Sequence, residues 1–310
     1  MTQLQRLRTF ITASLLAGLA CPTIALAAPR PVDEHRAVDP QGQVDIVNVA
    51  GRVEVAGWDK AELAVSGTLG SGVERLDIST AGTRTTVRVV VHESSGMHFG
   101  WNASSPEEAR LVVHVPQRDS LNVQLVSADL TVAGVAGNQE IQTVSGDVLA
   151  AVQREVRVHT VSGDVKLTAA ADSRLLEVST VSGDLSIDGG GGEVTVTTVS
   201  GDGMLKLGNT ARAKLKTVSG DFNVALGLAA DGRFEAESVS GDLNIEFRGS
   251  LPPAEYDLQT FSGDLDTCTG RKGVHEGYGP GNRLTFREGA GTARVRVDTK
   301  SGDVRLCGKK

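Results

Sequence analysis

Hydrophobic and polar residues alternate with a period of two through the second half of the chain, and the alternation changes phase at intervals. Val156 and Val158 are apolar at even positions, whereas Val165 and Leu167 are apolar at odd positions. The same change recurs between residues 176–178 and 185–187. A period of two is typical of half-buried β-strands. The pattern therefore predicts pairs of short strands, with the buried face reset between the members of each pair.

A Ser-Gly-Asp triplet lies at each reset. Successive copies are 17 to 22 residues apart, and the last gap is 39 residues. A degenerate copy, Ser127-Ala128-Asp129, precedes them. A period near 19 residues is typical of an array whose units bury their apolar faces only against their neighbours. The intact copies are Ser145-Gly146-Asp147, Ser162-Gly163-Asp164, Ser182-Gly183-Asp184, Ser200-Gly201-Asp202, Ser219-Gly220-Asp221, Ser240-Gly241-Asp242, Ser262-Gly263-Asp264 and Ser301-Gly302-Asp303.

Two backbone geometries reset the buried face, and the turn residues favour one of them. Ser-Gly could form the tip of an antiparallel hairpin, or it could form the corner of a solenoid coil whose neighbours stack in parallel. Hairpin turns favour Asn, Asp or Gly at the first position, whereas every intact copy here has Ser. Parallel stacking also rewards identical residues, because each lies beside its own copy. We predict an all-β fold, a parallel β-solenoid of about 19-residue coils, with an antiparallel β-hairpin meander as the alternative.

The repeated segment "TVSGDV", at residues 143–148 and 160–165, resembles a known family. Together with "VAGRVEVAGWD" at residues 49–59 and the leader described below, it is similar to the bacterial putative-adhesin family of β-strand repeats, a domain of unknown function. The resemblance covers residues 44–306. It implies a β-solenoid or β-helix-like fold in the cell envelope and implies no catalytic residues.

The first 27 residues have the pattern of a secretory signal peptide. A basic start is followed by an apolar run over residues 10–19 and by Ala25-Leu26-Ala27, a small-x-small cleavage site. The alternative is a membrane anchor that is not cut, but the run is short for a bilayer span. We predict a mature chain from about Ala28, exported to the periplasm, the envelope or the medium. No later segment has the length of a transmembrane helix.

The net charge bears on the class of partner. The whole chain has a formal charge of -7, and loss of Arg6 and Arg8 with the leader changes this to about -9. An acidic chain without a basic run is a poor match for nucleic acid or anionic lipid. The expected partner is an unknown envelope protein or glycan.

The sequence divides into three regions. We predict a signal peptide over residues 1–27, a β-rich capping region over 28–120, and the repeat solenoid over 121–310 with a C-terminal excursion at 269–295. The cap follows from the need to cover the open end of an array. Within it, residues 98–102, "HFGWN", are expected to form a loop with exposed aromatic rings.

Two cysteines hold the same place in their repeat units. Cys268 follows Ser262 by six residues, and Cys307 follows Ser301 by six. On adjacent coils their Cα atoms would lie within disulfide range, and export favours oxidation. We predict a disulfide between them. If Pro280-Gly281-Asn282 is a decayed triplet, however, a full coil separates them and the thiols stay free.

The triplet aspartates are the most conspicuous candidate site. Stacked coils would place them in a row, so each carboxylate must be solvated, splayed or bonded to backbone N-H groups of its own corner. Calcium needs six to eight oxygen ligands, and no calcium-binding nonapeptide is present. We therefore predict no metal and no cofactor.

Catalytic patterns are equally sparse. His159 lies near Ser162, but other units have no histidine there, and the six histidines show no metal-ligand spacing. The histidines are His35, His92, His98, His114, His159 and His275. The glycines at 189–192 lack the Lys-Ser/Thr of a phosphate loop. We expect no catalytic residues.

Two functions are compatible with this sequence. The first is a non-enzymatic envelope or secreted protein with an adhesion or scaffold role. The second is a polysaccharide-binding or polysaccharide-degrading β-helix protein, which rests on fold analogy. An enzyme would need one coil that breaks the repeat, and only the region 271–288 does so, with Arg271, Lys272, His275, Glu276, Tyr278 and Arg283.

Overall fold

The computed structural model describes residues 30–91, 108–275 and 281–309. The predicted signal peptide, the loop at 98–102 and the residues Glu276 and Tyr278 lie outside the described residues, as do His92 and His98. All regular structure in the described part of the chain is β-strand. None of its elements is a helix able to cross a membrane.

The strands run in chain order from β1 to β23. The first seven are β1 (Arg30–Ala37), β2 (Gln43–Trp58), β3 (Glu62–Leu69), β4 (Val73–Ala81), β5 (Arg84–Val91), β6 (Ala109–Pro116) and β7 (Ser120–Ala133). The middle of the array contains β8 (Gln139–Ser145), β9 (Val148–Val152), β10 (Glu155–Ser162), β11 (Val165–Ala169), β12 (Leu175–Ser182), β13 (Leu185–Gly189), β14 (Glu193–Ser200), β15 (Gly203–Ser219) and β16 (Phe222–Ser240). The last seven are β17 (Leu243–Phe247), β18 (Ala254–Ser262), β19 (Leu265–Thr267), β20 (Val274–His275), β21 (Asn282–Glu288), β22 (Ala293–Ser301) and β23 (Val304–Gly308).

Two strands that meet at one corner form a rung, and each rung is named here by its corner residue. In the Ser162 rung, β10 precedes the corner and β11 follows it. β10 pairs in parallel with β8 on one side and β12 on the other, and β11 pairs in parallel with β9 and β13. Ser162 thus lies beside both Ser145 and Ser182. The predicted all-β, largely parallel array is confirmed, and the hairpin alternative is wrong.

The core lies between the strands that precede the corners and those that follow them. Val156 and Val158 face inward before the corner, and Val165 and Leu167 face inward after it, each at most 2% exposed. This is the change of phase read from the sequence. Burying about four such side chains per rung, at roughly 1.5 to 3 kcal/mol each, is the main stabilising contribution of a rung.

The N-terminal region joins the same stack. β2 bends at Gly51 and pairs in parallel with β7 along both of its halves. Its outer side pairs in parallel with β5 before the bend and with β6 after it. Antiparallel strands then cover the end: β4 lies on β5, β3 on β6, and β1 on β3. The region expected to be a cap therefore contains parallel rungs beneath an antiparallel cover.

The C-terminal rungs are not stacked in chain order. The strands of the Ser240 rung do not pair with those of the Ser262 rung that follows it in sequence. Instead β22 lies between β16 and β18, and β23 lies between β17 and β19. The Ser301 rung, the last in the chain, is thus inserted between the two. β21 then pairs antiparallel with the outer side of β18 and covers this end.

This order explains the cysteine pair. Because the Ser301 and Ser262 rungs are neighbours, Cys268 and Cys307 form a disulfide, with a Cα to Cα distance of 5.0 Å. Asn282 begins the antiparallel strand β21, which pairs with the side of β18 that faces away from β22, so β21 does not lie between the Ser262 and Ser301 rungs. The predicted disulfide is confirmed, and the alternative of an intervening coil is wrong.

Candidate functional site

The Ser-Gly-Asp corners lie above one another and form a continuous edge, here called the corner edge. It comprises the four residues from the valine before each triplet to its aspartate, for example 161–164. The eight intact corners occupy consecutive rungs in the order Ser145, Ser162, Ser182, Ser200, Ser219, Ser240, Ser301 and Ser262. Parallel strands lie about 4.8 Å apart, so like side chains form rows with that spacing.

Glycine is required at the centre of each corner by both conformation and space. The eight triplet glycines have φ between +112° and +144°, a region that L side chains rarely adopt. A Cβ atom at Gly183 would lie 2.3 Å from the carbonyl oxygen of Gly163 on the rung below. The corners can approach one another this closely because Gly183 carries no side chain.

The aspartates form a hydrogen-bonded ladder. The Asp184 backbone N-H donates to Oδ1 of Asp164 at 2.9 Å, and the Asp202 N-H donates to Oδ1 of Asp184 at 3.0 Å. The ladder runs from Asp129 to Asp264, with Asp303 accepting the bond from the Asp264 N-H. Of the three arrangements expected for these carboxylates, a bond within the same corner is wrong, because the donor belongs to the next rung, whereas exposure to solvent is found.

Replacing one carboxylate tests the ladder. We expect Asp184→Ala to cost about 1 kcal/mol of unfolding free energy, the usual net value of one such bond. Asp184→Asn keeps an oxygen acceptor and removes one charge from a row of like charges. It should be at least as stable as wild type and gain less from added salt in urea titrations. Equal losses in both variants would contradict a hydrogen-bonding role.

The threonine row lies inside the corner. Thr160 and Thr180 are each 5% exposed, and each hydroxyl donates to the serine carbonyl two residues later at 3.2 Å. At the Gly51 bend Asn48 takes this place, and its Nδ2 donates to the Ala50 carbonyl at 3.1 Å. These bonds satisfy carbonyl groups at the bend.

The outward side of the corner presents three rows of different chemistry. The valine that precedes the corner serine is half exposed, between 46% and 50%, on seven consecutive rungs. The serine and aspartate beside it are exposed at each intact corner. Lys300 and Phe261 replace valine on the last two rungs, and Phe261 is 58% exposed. The valine row comprises Val126, Val144, Val161, Val181, Val199, Val218 and Val239.

A groove of about 640 Å³ runs beside the N-terminal part of this edge. One wall carries Val49 and the first three members of the valine row, Val126, Val144 and Val161. The other wall carries Gln124, Gln142 and His159. The groove combines apolar contacts with side-chain amides and one imidazole, which suits an uncharged polar ligand better than an ion.

No group of three or more His, Cys, Asp and Glu side chains suited to a metal occurs among residues 30–91, 108–275 and 281–309. His35 is exposed between Glu62 and Asp33, whose hydrogen bond and charges raise its pKa. His114 packs against Trp58 with ring centroids 4.9 Å apart.

The excursion singled out as a possible catalytic region is held by ion pairs. Arg271 contacts Glu288 at 2.9 Å and lies over the Phe286 ring. Arg283 forms a two-pronged contact with Asp257, at 3.0 and 3.1 Å. Arg283 therefore joins β21 to β18, and Arg271 joins β21 to the loop after β19.

Asp119 is the buried carboxylate that sequence reasoning missed. It lies in the turn before β7, is 1% exposed and accepts a hydrogen bond from the Gly42 N-H at 2.9 Å. Burial raises its pKa to about 6, an effect that Asp39 reinforces and the Gly42 bond opposes. Asp119 lies in an ordinary turn between two strands, so no pattern in the sequence indicated that its side chain is buried.

This pKa predicts a pH-dependent stability. Because the folded pKa exceeds the unfolded value of about 4, the favourable contribution of Asp119 is complete below about pH 4 and is lost as the pH rises through about 6. We expect Asp119→Asn to be about 2 kcal/mol more stable than wild type at pH 7.5 and equal to it near pH 4. Urea titrations across this range measure the difference. A constant difference at all pH values would contradict the assignment.

Comparison with known proteins gives a family and several structural neighbours. The family described as Toastrack DUF4097 matches residues 44–307. A putative adhesin from Bacteroides fragilis is 9% identical with a TM-score of 0.41, covering 89% of this chain and 97% of its own. A putative adhesin from Parabacteroides distasonis is 12% identical with a TM-score of 0.39, with the same coverage of 89% and 97%.

A third solved structure is a putative cell adhesion protein from Clostridium sporogenes. It is 9% identical with a TM-score of 0.23 and covers 90% of this chain and 100% of its own. No curated protein matches the chain. At these identities and TM-scores, the neighbours carry no argument about function.

Proposed function

Because the chain belongs to the Toastrack DUF4097 family, which matches residues 44–307, we propose that it acts as a non-enzymatic β-repeat scaffold. In this proposal the protein is exported to the envelope or the medium and binds an extended partner along its corner edge. The partner is an envelope protein or a glycan. The adhesion role rests on the surface described above.

One observation carries the proposal: seven consecutive rungs present the same half-exposed valine. Exposed apolar side chains are ordinary when scattered, but a contiguous row is typical of an interaction surface. At about 4.8 Å per rung, the row from Val126 to Val239 is about 29 Å long. A partner with repeated groups could contact several rungs at once, and weak contacts of this kind add through multivalency.

The triplet serines favour a non-catalytic role for the corner edge. Their hydroxyls are exposed, and none of the triplet serines in the described part of the chain hydrogen-bonds to a histidine. A nucleophilic serine needs a base within hydrogen-bond reach. The hydrogen-bonded corner fits a surface whose task is to hold positions rather than to change shape during a reaction.

A triple substitution tests the proposal. Changing Val161, Val181 and Val199 to threonine keeps β-branched side chains while adding hydroxyls to the row. We expect retention of bacterial envelope components by the immobilised protein to fall about tenfold, since three contacts are lost together. The matched control changes the exposed outward residues Lys166 and Met204 to threonine. Equal retention by both variants would contradict the proposal.

The groove favours a second candidate, binding of a polysaccharide. Gln124, Gln142 and His159 offer hydrogen bonds beside an apolar wall, a combination used in binding small polar ligands. A glycan array with wild type and Gln142→Ala tests this candidate. Binding that the substitution abolishes would support it. Release of new reducing ends from the bound glycan would instead indicate an enzyme and contradict the non-enzymatic scaffold.

A further inference from the structure

The outward face of the strands before the corners contains pairs of opposite charge on neighbouring rungs. Lys216 contacts Glu237 on the next rung at 2.7 Å, and Arg157 contacts Glu177 at 3.3 Å. Opposite charges on neighbouring strands stabilise a sheet, whereas like charges placed side by side destabilise it. A row of like charges on this face therefore calls for a physical explanation.

Three arginines form such a row on consecutive rungs. Arg212 lies beside Arg233, and Arg233 lies beside Arg294. Neighbouring parallel strands are about 4.8 Å apart. In the sequence these arginines are 21 and 61 positions apart, within a chain of net charge -7. The stacking of the rungs brings the three cations together, and no basic run in the sequence indicates it.

Both ends of the arginine row are neutralised by acidic side chains. At one end, Arg212 contacts Glu193 at 3.3 Å. At the other end lies Glu255, the neighbour of Arg294 on the Ser262 rung, and it contacts Arg287 of β21 at 3.7 Å. Arg212 and Glu255 thus each have a partner on the side away from the middle of the row.

The two guanidinium groups in the middle, those of Arg233 and Arg294, have no such partner. Both side chains are exposed, and within the ranges 30–91, 108–275 and 281–309 neither makes a side-chain hydrogen bond or an ion pair. They line a cleft of about 360 Å³ on the outward side of β16, β22 and β18. An anion that bridges two adjacent cations removes the repulsion between them, so the cleft suits an anion.

We propose that this cleft binds the phosphate group of a sugar phosphate between Arg233 and Arg294. Each guanidinium can donate two parallel N-H bonds to an oxyanion. A phosphate monoester has three terminal oxygens that accept such bonds from two guanidinium groups at once, whereas a carboxylate has only two oxygens. The arginine pair therefore favours phosphate over carboxylate.

The rest of the cleft indicates what the phosphate is attached to. Glu235, Glu255 and Asp257 also line it. Carboxylates accept hydrogen bonds, so they suit the hydroxyl groups of a sugar. Their repulsion of a phosphate is reduced by neighbouring cations, because Asp257 contacts Arg283 at 3.0 Å and Glu235 lies beside Arg296.

The cleft is separate from the corner edge. Arg233 precedes Ser240 by seven residues, which is about 23 Å along a strand. The inference therefore goes beyond the proposed function. Its failure would leave the binding of an extended partner along the corner edge unaffected.

Calorimetric titration of the protein with glucose 6-phosphate tests the site. We expect saturable binding that weakens as sodium chloride is added. Arg233→Gln combined with Arg294→Gln should weaken binding at least about tenfold, since the charge-assisted hydrogen bonds are lost together. Absence of binding to wild type would overturn the proposal.

The matched control is Arg118→Gln combined with Arg154→Gln. It removes the same charge at two exposed positions outside the cleft. Its affinity should stay within about twofold of wild type, because only the general field of the protein changes. A loss as large as that of the cleft variant would overturn the site, since net charge alone would then explain the binding.

A second cleft variant separates a paired-guanidinium site from a merely positive surface. Arg233→Lys combined with Arg294→Lys keeps both charges but loses the planar forks, so the affinity should fall about fivefold. Urea titrations of all the variants verify that they fold, as expected for exposed positions. A lysine variant that binds as tightly as wild type would overturn the site.

Two further probes test the identity of the ligand. Glucose should not bind, because it offers no charge to the arginines. Inorganic phosphate should bind at least about threefold more weakly than glucose 6-phosphate, because it brings no sugar hydroxyl groups to the carboxylates. Equal affinity for inorganic phosphate and glucose 6-phosphate would overturn the assignment to a sugar phosphate, and binding of glucose would overturn the role of the arginines.

Discussion

Gly183→Ala is expected to lower the free energy of unfolding by about 3 kcal/mol, one of the two largest effects predicted for this chain. The backbone there has φ +126°, which costs an L residue roughly 1 to 2 kcal/mol. The added Cβ would also lie 2.3 Å from the Gly163 carbonyl oxygen, and such overpacking typically costs 1 to 3 kcal/mol. The two rungs must separate to admit the methyl group.

Gly82→Ala is the matched control. Gly82 also has a positive φ, +63°, but no atom lies within 4 Å of the place where its Cβ would be. The control should therefore lose only the conformational part, about 1 kcal/mol. Urea unfolding of both variants measures the difference. Equal losses would show that close contact between corners is not what requires glycine.

Removing the disulfide is expected to cost about 4 kcal/mol in the chain-entropy model, because it closes a loop of 39 residues. The loss should be local, since each rung rests on its neighbours and the array is a chain of nearest-neighbour contacts. We expect C268A/C307A to show faster amide hydrogen exchange in the Ser301 and Ser262 rungs, with the Ser162 rung unchanged. Uniform exchange along the array would contradict this.

Wild-type protein treated with reductant is the control for that experiment. It should reproduce the exchange pattern of the double variant, because both lack the same covalent link. If the reduced protein stays as protected as the oxidised one, the contacts of the Ser301 rung hold this end without the disulfide. The predicted contribution of the bond would then be wrong.

The stacking direction could be predicted from the sequence because local and global signals agree. The change of phase between Val158 and Val165 requires a bend that swaps faces, and serine before glycine is a poor hairpin tip. Parallel neighbours also explain why the corner sequence hardly varies, since each residue contacts its own copy. Antiparallel strands occur in the covers at the two ends, where the repeat is absent.

The order of the rungs could not be predicted. Any Ser-Gly-Asp corner fits on any other, so sequence adjacency is the natural expectation for the Ser240 and Ser262 rungs. The C-terminal excursion bears on the order, because β21 pairs with the outer side of β18. That side would be covered if the Ser262 rung lay between the Ser240 and Ser301 rungs. The 39-residue gap and the paired cysteines were signals that the last rung is irregular, but they fit more than one order.

The corner at Gly51 could have been found with a looser motif. The segment 49–55, "VAGRVEV", has the same apolar positions as the later units, with alanine and arginine replacing serine and aspartate. Its Gly51 has φ +112°, like the triplet glycines. The sequence could not show which N-H group donates to each aspartate carboxylate. That partner depends on the offset between neighbouring corners rather than on any one residue.

Spin-label distances along the corner edge test the central claim most directly. With labels at Ser145 and Ser301, and separately at Ser145 and Ser262, the backbone separations should be about 29 and 34 Å, which are six and seven rungs at 4.8 Å each. The label at Ser262 should therefore be the more distant, although it is earlier in the chain. A longer distance to Ser301, or two short distances without regular increase, would contradict parallel rungs with an inserted C-terminal rung.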